Sequence, residues 1–138
     1  MEGALVLTGI ERRHLEDIVE KYGLDPELID PTLDYYENLR ILKRYAPIGA
    51  PEFEAVRKTV TEEEFEHILR QYEEALTHGE FERAEKLQRR ITSRYFAVKS
   101  RSRLAALKKR HPEFEFKVVG WFPDEGKKIL LVKAIPKD

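Results

Sequence analysis

The residues best suited to chemistry in this sequence are arginines and lysines clustered in its second half. Residues 83–111 carry eleven Lys or Arg against a single acid, Glu85. Guanidinium and ammonium groups neutralise phosphates, and the release of counterions then supplies binding free energy. The segment therefore predicts a surface that binds a polyanion. Its candidate contact residues are Arg83, Arg90, Arg94, Lys99, Arg101, Arg103, Lys108, Lys109 and Arg110.

Part of this set would share one face if the segment were a single helix. At about 100° per residue, five cations fall within a sector of about 40°: Arg83, Arg90, Arg94, Arg101 and Lys108. At about 1.5 Å per residue, the resulting stripe would be about 37 Å long. Whether the helix is continuous stays open, because Thr92-Ser93 and Ser100–Ser102 are points where it could break.

Acidic residues elsewhere provide an alternative explanation for the basic segment. Residues 1–82 carry 9 Lys or Arg against 20 Asp or Glu, many of them between Glu62 and Glu82. Helices of an antiparallel pair commonly carry flanking charges of opposite sign. We nevertheless favour a polyanion, because most of the basic excess lies between Arg94 and Arg110, beyond the expected reach of the acidic helix.

Capping and helix-breaking residues outline the elements that must position these cations. Thr8–Glu11 and Thr61–Glu64 have the form of capping boxes. Asp25-Pro26 and Asp30-Pro31 each place an N-cap acid before a proline at the first helical position. The predicted helices run from Thr8 to Tyr22, from Pro31 to Tyr45, briefly through Phe53 to Val60, from Thr61 to His78, and from Glu80 towards Arg110.

The apolar period changes after His111-Pro112, which marks a helix end. Residues 114–120 alternate as a strand does, Pro123–Gly126 is a turn, and residues 128–135 form a second apolar strand. A lone hairpin is barely stable, so it must pack on the helices, with Trp121 in the core beneath it. The apolar run Ala4–Leu7 could pair with it as an edge strand.

These elements predict an α+β fold, mainly α, in a single domain over residues 1–138. Its parts are an N-terminal helical region (1–60), a long, charge-segregated antiparallel helical hairpin (61–111) and a C-terminal β-hairpin (112–138). A basic helix followed by strand, turn and strand is also the order of a winged helix, whose recognition helix enters the major groove. In that arrangement Lys127 and Lys128 lie at the wing tip and join the candidate site.

A shorter segment, residues 71–91, resembles the UVR motif, a helical hairpin with a Phe-Glu-x-Ala-x-x-Leu-Arg-Asp-x-Ile type core. The matching positions are Phe81-Glu82, Ala84, Leu87 and Ile91, which follow the turn at His78-Gly79. Gln88-Arg89 stands where the family commonly has Arg-Asp. The resemblance implies contacts between proteins, some of them in DNA repair.

Several kinds of site are not indicated. The chain has no cysteine, which excludes disulfide scaffolds and cysteine nucleophiles. Two Glu-x-x-His sequences end at His14 and His67 and, with Glu37 and Glu85, supply the ligand types of a di-iron bundle, but His67 is predicted to face water. We see no glycine-rich phosphate loop and no catalytic triad. We therefore expect no metal, no cofactor and no enzymatic activity.

The sequence thus predicts a small non-enzymatic nucleic-acid-binding protein, with a regulator as one candidate role. DNA is favoured over RNA as the ligand, and the choice between them stays open. The alternative is a protein–protein interaction module or a helical-bundle homodimer in which acidic and basic helices pair. A composition rich in Glu, Lys and Arg and free of Cys indicates a thermophilic source. No apolar run approaches 18 residues, and the first residues lack the basic segment of a secretion signal, so we expect no membrane association and a cytoplasmic location.

Overall fold

The computed structural model describes residues 6–137, apart from the side chains of residues 55–58. The helices are α1 (Gly9–Tyr22), α2 (Tyr35–Tyr45), α3 (Pro51–Lys58), α4 (Glu62–Thr77), α5 (Phe81–Thr92) and α6 (Arg101–Arg110). The strands are β1 (Thr59–Thr61), β2 (Tyr95–Val98), β3 (Phe114–Asp124) and β4 (Lys127–Pro136), and Pro26–Leu28 forms a 3₁₀ turn. The prediction of an α+β, mainly α fold is confirmed.

Local capping signals explain where the N-terminal helices begin. The Thr8 hydroxyl accepts from the Glu11 backbone N–H at 3.2 Å, and the Glu11 carboxylate accepts from the Thr8 N–H at 3.0 Å, so the predicted capping box of α1 is present. The predicted start of α2 at Pro31 is wrong. Asp30 instead accepts from the backbone N–H of Thr32 in a turn at 2.9 Å, and α2 starts after Asp34, its N-cap.

The described strands form one sheet in the order β1-β2-β4-β3. β2 pairs in parallel with β1 and antiparallel with β4, so it is an internal strand. The predicted C-terminal hairpin is confirmed as β3 and β4, which are joined through Glu125-Gly126, both with positive φ. A register shift between Val118 and Gly120 interrupts the long edge strand β3, as β-bulges often do at sheet edges.

The helical hairpin is also present, but it is shorter than residues 61–111. α4 and α5 pack together across the turn at His78–Glu80. The helix then ends at Thr92, β2 follows, and α6 is a separate helix. The break falls at the two points where the sequence left continuity open, so the 37 Å basic stripe does not exist on one helix. The predicted short helix through Val60 ends at Lys58 instead, because Val60 belongs to β1.

The larger apolar cluster lies between α4, α5, α6 and one face of the sheet. Its fully buried members include Phe65, Leu69, Ile91, Phe96 and Leu107. The rings of Phe65 and Phe96 stack with centroids 3.9 Å apart. This contact packs β2 against α4.

The smaller cluster joins α1 and α2 and includes Leu15, Ile18 and Leu42, with Phe53 of α3 packed against it. α1 contacts β3, and α3 contacts β1, β2 and β3. Along β2, Phe96 and Val98 face the larger cluster, so the alternate residue Tyr95 faces the other side. Glu52 and Glu54 of α3 lie near Tyr95, which places α3 on that opposite face.

Two expectations concern the chain's N-terminal end and membrane association. The first half of the predicted edge strand Ala4–Leu7 lies outside the described residues. Its second half, Val6 and Leu7, forms a bend and not a strand, and Leu7 is buried in the smaller cluster. Among helices within residues 6–137, none combines the length and apolar character that crossing a bilayer requires.

Candidate functional site

Helix α6 carries the densest group of predicted contact residues. It holds five cations and no acid, and its predicted members are Arg101, Arg103, Lys108, Lys109 and Arg110. The Ser100 hydroxyl caps its first turn by accepting from the Arg103 backbone N–H at 3.2 Å. Leu104 and Leu107 are buried in the larger cluster, so the opposite face of α6 is exposed to solvent.

Two α6 cations are neutralised by the acidic helix α4. Arg103 pairs with Glu62 at 3.5 Å, and Arg110 pairs with Glu66 at 2.7 Å. The expectation that the acidic helix would not reach beyond Arg94 is therefore wrong. The physical reason is the break at β2, which brings α6 back beside α4 instead of carrying the basic segment away from it.

The cations of α5 make local pairs. Arg83 pairs with Glu80 at 3.1 Å, and Arg89 pairs with Glu85 at 2.7 Å, with both partners of each pair well exposed. Exposed pairs of this spacing contribute only about 0.3–0.5 kcal/mol, so they would yield readily to a stronger anion. Arg90 is exposed, and Arg94 is partly buried in the loop after α5.

Three cations of α6 make no ion pair with any other residue in the described part of the chain: Arg101, Lys108 and Lys109, hereafter the free α6 cations. Arg101 and Lys108 are seven residues apart and so lie about 20° apart around the helix. Lys109 lies on the outward side, with the exposed small residues Ser102 and Ala105. The exposed surface of α6 is thus cationic, and the exposed side chains Ser102 and Ala105 that precede Lys109 on its outward side are small.

The β3–β4 turn and the start of α6 lie at the same end of the sheet. Val98, at the end of β2, pairs with Leu130, and the hairpin continues from there to its turn. Lys99 and Lys127 are exposed at this end, whereas the Lys128 ammonium lies 4.8 Å from the ring centre of Trp121. Acids are also present here: Glu62, Glu63 and Asp124 line a groove of about 430 Å³ with Lys99 and Arg103.

A second polar group, which the sequence did not reveal, lies where α1 meets β3. His14 is buried, and the Tyr35 hydroxyl lies 2.6 Å from its Nδ1. Its Nε2 makes no hydrogen bond of normal geometry among the described residues. Burial lowers the pKa of His14 to about 4, although the Trp121 main chain and the acids Glu52 and Asp17 oppose this. The imidazole is therefore neutral at pH 7.

The carboxylate of Glu52 is the buried acid of the same region. It accepts from the Lys21 ammonium at 2.7 Å and from the Tyr22 hydroxyl, and Lys21 also donates to the Val119 carbonyl at 2.8 Å. A Cβ at Gly120 would lie 3.0 Å from a Glu52 oxygen, so this glycine leaves space for the carboxylate. Burial raises the pKa of Tyr22. These contacts join α1 and α3 to β3.

A third group surrounds His111, at the C-terminal end of α6. Its Nδ1 lies 2.6 Å from Glu73 Oε1 of α4 and 3.7 Å from Glu113 Oε1, and its Nε2 lies 3.5 Å from Glu66 Oε1. Burial, and then a hydrogen bond with Glu113, raises the pKa of Glu73. Burial opposes ionisation of Glu113, but hydrogen bonds from Glu73 and the main chain and the charge of His111 together lower its pKa.

The two Glu-x-x-His sequences do not come together as a di-iron site. His67 is exposed, as predicted, and lies 3.2 Å from the Gln71 amide, whereas His14 is buried against Tyr35 and Trp121. Trp121, predicted to lie in the core, is buried, and its indole N–H donates to Asp17 at 3.0 Å.

Comparison with protein families, curated proteins and solved structures finds no match for this chain. The resemblance of residues 71–91 to the UVR motif therefore rests on those residues alone.

Proposed function

We propose that this protein binds nucleic acid, duplex DNA in the first instance, through the free α6 cations. The observation that carries the proposal is their availability. Arg101, Lys108 and Lys109 are exposed and make no ion pair in the described structure, on a helix that contains no acid. Phosphate contacts from such side chains supply most of the affinity for nucleic acid at low salt.

The shape of α6 supports contact with a groove. Arg101 and Lys108 lie about 10 Å apart along the helix axis, far enough to contact separate phosphates. Ser102 and Ala105 between them are small, so the helix backbone can approach DNA closely. The major groove is about 12 Å wide and admits one α-helix. Lys99 and Lys127 would add contacts at the N-terminal end of α6, in the manner of a wing.

The test is a fluorescence-anisotropy titration of labelled duplex DNA and single-stranded RNA at about 50 and about 200 mM salt. We expect tight binding to DNA at low salt and a loss of affinity by orders of magnitude across this range. The triple variant R101E/K108E/K109E should abolish it. The milder triple replacement by Gln should reduce the slope of log binding constant against log salt concentration by about 3 in magnitude. Each lost phosphate contact lowers that slope by about 0.9.

The matched control is R12E/R40E/K43E, which makes the same charge change at three exposed cations of α1 and α2. Equal weakening by both triple variants would mean that only net charge matters. Absence of binding by the wild-type protein at about 50 mM salt would refute the proposal. If the protein bound RNA more strongly than DNA, the free α6 cations would remain the proposed binding surface, but the ligand would be RNA.

A second candidate function is protein interaction, with homodimerisation as its simplest form. The observation that favours it is an apolar tip on the α4–α5 hairpin, where Leu76 and Phe81 are 42% and 69% exposed. Light scattering over a concentration series would detect a dimer, and Phe81→Ser should convert it to monomer. A wild-type protein that remains monomeric throughout would remove this candidate.

We also propose a cytoplasmic location, which fractionation of expressing cells would test.

A further inference from the structure

His111 brings together two glutamates from distant parts of the chain. Glu73 belongs to α4, His111 caps the C-terminal end of α6, and Glu113 immediately precedes β3. One ligand atom from each of the three residues lies within 4.8 Å of the others. We propose that these three residues bind one divalent transition-metal ion at the joint between α4, α6 and β3.

Both separations from His111 Nδ1 suit one ion after a small side-chain movement, and the Glu73 and Glu113 oxygens lie within 4.8 Å of each other. Nδ1 of His111 lies 3.7 Å from Glu113 Oε1 and 2.6 Å from Glu73 Oε1. The first separation is close to that of two ligands on one ion with bonds of about 2.0–2.2 Å. The second is a hydrogen bond, so the metal would replace the proton between Nδ1 and Glu73, and the Glu73 side chain would move back by less than 1 Å.

The other face of the imidazole provides an independent indication. Nε2 of His111 lies 3.5 Å from Glu66 Oε1, and Arg110 holds that same oxygen at 2.7 Å. Histidines that bind metal almost always give their remaining N–H to a carboxylate or carbonyl, which fixes the tautomer and the ring orientation. Glu66 lies next to Nε2 at ion-pair distance and would accept its N–H after a small movement, which would direct Nδ1 towards Glu73 and Glu113. His111 is itself buried, with 7% of its side chain exposed, so its orientation is fixed by packing.

The donor set selects the class of ion. One imidazole nitrogen and two carboxylate oxygens suit Zn²⁺, Mn²⁺ or Fe²⁺, whereas Ca²⁺ and Mg²⁺ prefer oxygen alone. Two carboxylates beside each other repel when both are ionised, and a dication at the centre would remove that repulsion. Three protein ligands leave at least one position for water. Zn²⁺ should bind more tightly than Mn²⁺ at these donors.

The expected effect of the ion is to fasten three elements together. Glu73 and His111 are 38 residues apart in the chain, so the unfolded protein has no preformed site, and binding stabilises the folded state. The ion would hold the C-terminal end of α6, where Lys108 and Lys109 lie, against α4. This inference does not depend on nucleic-acid binding, and either proposal can fail without the other.

Isothermal titration of chelator-treated protein with Zn²⁺, and thermal unfolding with and without Zn²⁺, would test the site. We expect one Zn²⁺ per chain and a higher Tm in its presence. Glu113→Gln should weaken binding at least tenfold and remove the rise in Tm, and it concerns an exposed side chain whose replacement should not prevent folding. Glu73→Gln should act in the same way, and Glu66→Gln should weaken binding by about tenfold.

The matched controls are Glu74→Gln and Glu115→Gln, exposed neighbours on α4 and β3. Both should bind Zn²⁺ as the wild type does. No Zn²⁺ binding, or binding unchanged by both Glu113→Gln and Glu73→Gln, would overturn the proposal. It would also be overturned if His67→Gln or His78→Gln removed the bound ion, because the solvent-facing stripe of α4 would then be the site.

Discussion

His14 shows how burial of a single side chain can make folding depend on pH. Burial lowers its pKa from 6.5 to about 4. Between pH 6.5 and pH 4, His14 is protonated in the unfolded chain but stays neutral in the folded chain. The free energy of unfolding therefore has its full value above pH 6.5 and falls as pH drops towards 4. Between pH 7 and pH 5, His14 should account for a loss of roughly 2 kcal/mol, measured by urea unfolding at each pH.

The variant that isolates this effect is His14→Phe, which fills the site without a titratable group. Losing the hydrogen bond from Tyr35 lowers stability at every pH, so the slope with pH is the informative quantity. We expect a flatter profile between pH 7 and pH 5 for His14→Phe, and an unaltered slope for the exposed-site control His78→Phe. Parallel profiles for wild type and His14→Phe would contradict the assignment.

Residue-scale features could be predicted only where their partners are close in sequence. Thr8 and Asp25 act as caps, as predicted, because each side chain bonds a backbone N–H two or three residues away. His111 ends α6, as predicted. Its contacts with Glu73 and Glu66 depend on how α4 and α6 pack, and no local spacing encodes that. The bond between Glu52 and Lys21, 31 residues apart, is hidden for the same reason.

At the scale of elements, β2 is the part of the fold that sequence periodicity misidentified. Ile91, Tyr95 and Val98 have the spacing of one helix face, which supported a continuous helix. The same segment also alternates, with Phe96 and Val98 buried and Tyr95 and Ala97 less so. A segment as short as the four residues of β2 fits the helical period and the strand period equally well. Pairing with β1 and β4 decides between them, and those contacts are not local.

Because β2 is internal, replacing its central aromatic should be severe. Phe96 is fully buried and stacks on Phe65. Phe96→Ala should lower the free energy of unfolding by about 3–5 kcal/mol through lost burial and the cavity left behind. Phe81→Ala makes the same chemical change at an exposed position and, in the monomer, should alter stability by less than about 0.5 kcal/mol. Chemical denaturation of both variants would show the difference, and similar values would argue against an internal β2.

Across the whole molecule, one sheet is shared by two helical layers of different size. The layer of α4, α5 and α6 has the larger apolar cluster, whereas α1 and α2 have the smaller one. The smaller layer also relies on polar bonds to the sheet, from Lys21 to Val119 and from Trp121 to Asp17. The free α6 cations and the His111 group both belong to the larger layer. A local opening of α1–α3 would therefore leave both proposed sites intact.

Glu52→Gln tests whether the smaller layer can open by itself. The change keeps the side-chain shape but removes the charge that Lys21 and Tyr22 contact. Lys21 is 43% exposed at its side chain and can be rehydrated, so we expect a loss of about 1–3 kcal/mol. Hydrogen exchange followed by mass spectrometry should show faster exchange in α1 and little change in α4. Glu16→Gln, an exposed site on α1, should leave both helices unchanged. If hydrogen exchange instead became faster by the same factor in α1 and α4, the two layers would unfold as one cooperative unit. Opening of the smaller layer would then also unfold α6 and the His111 group.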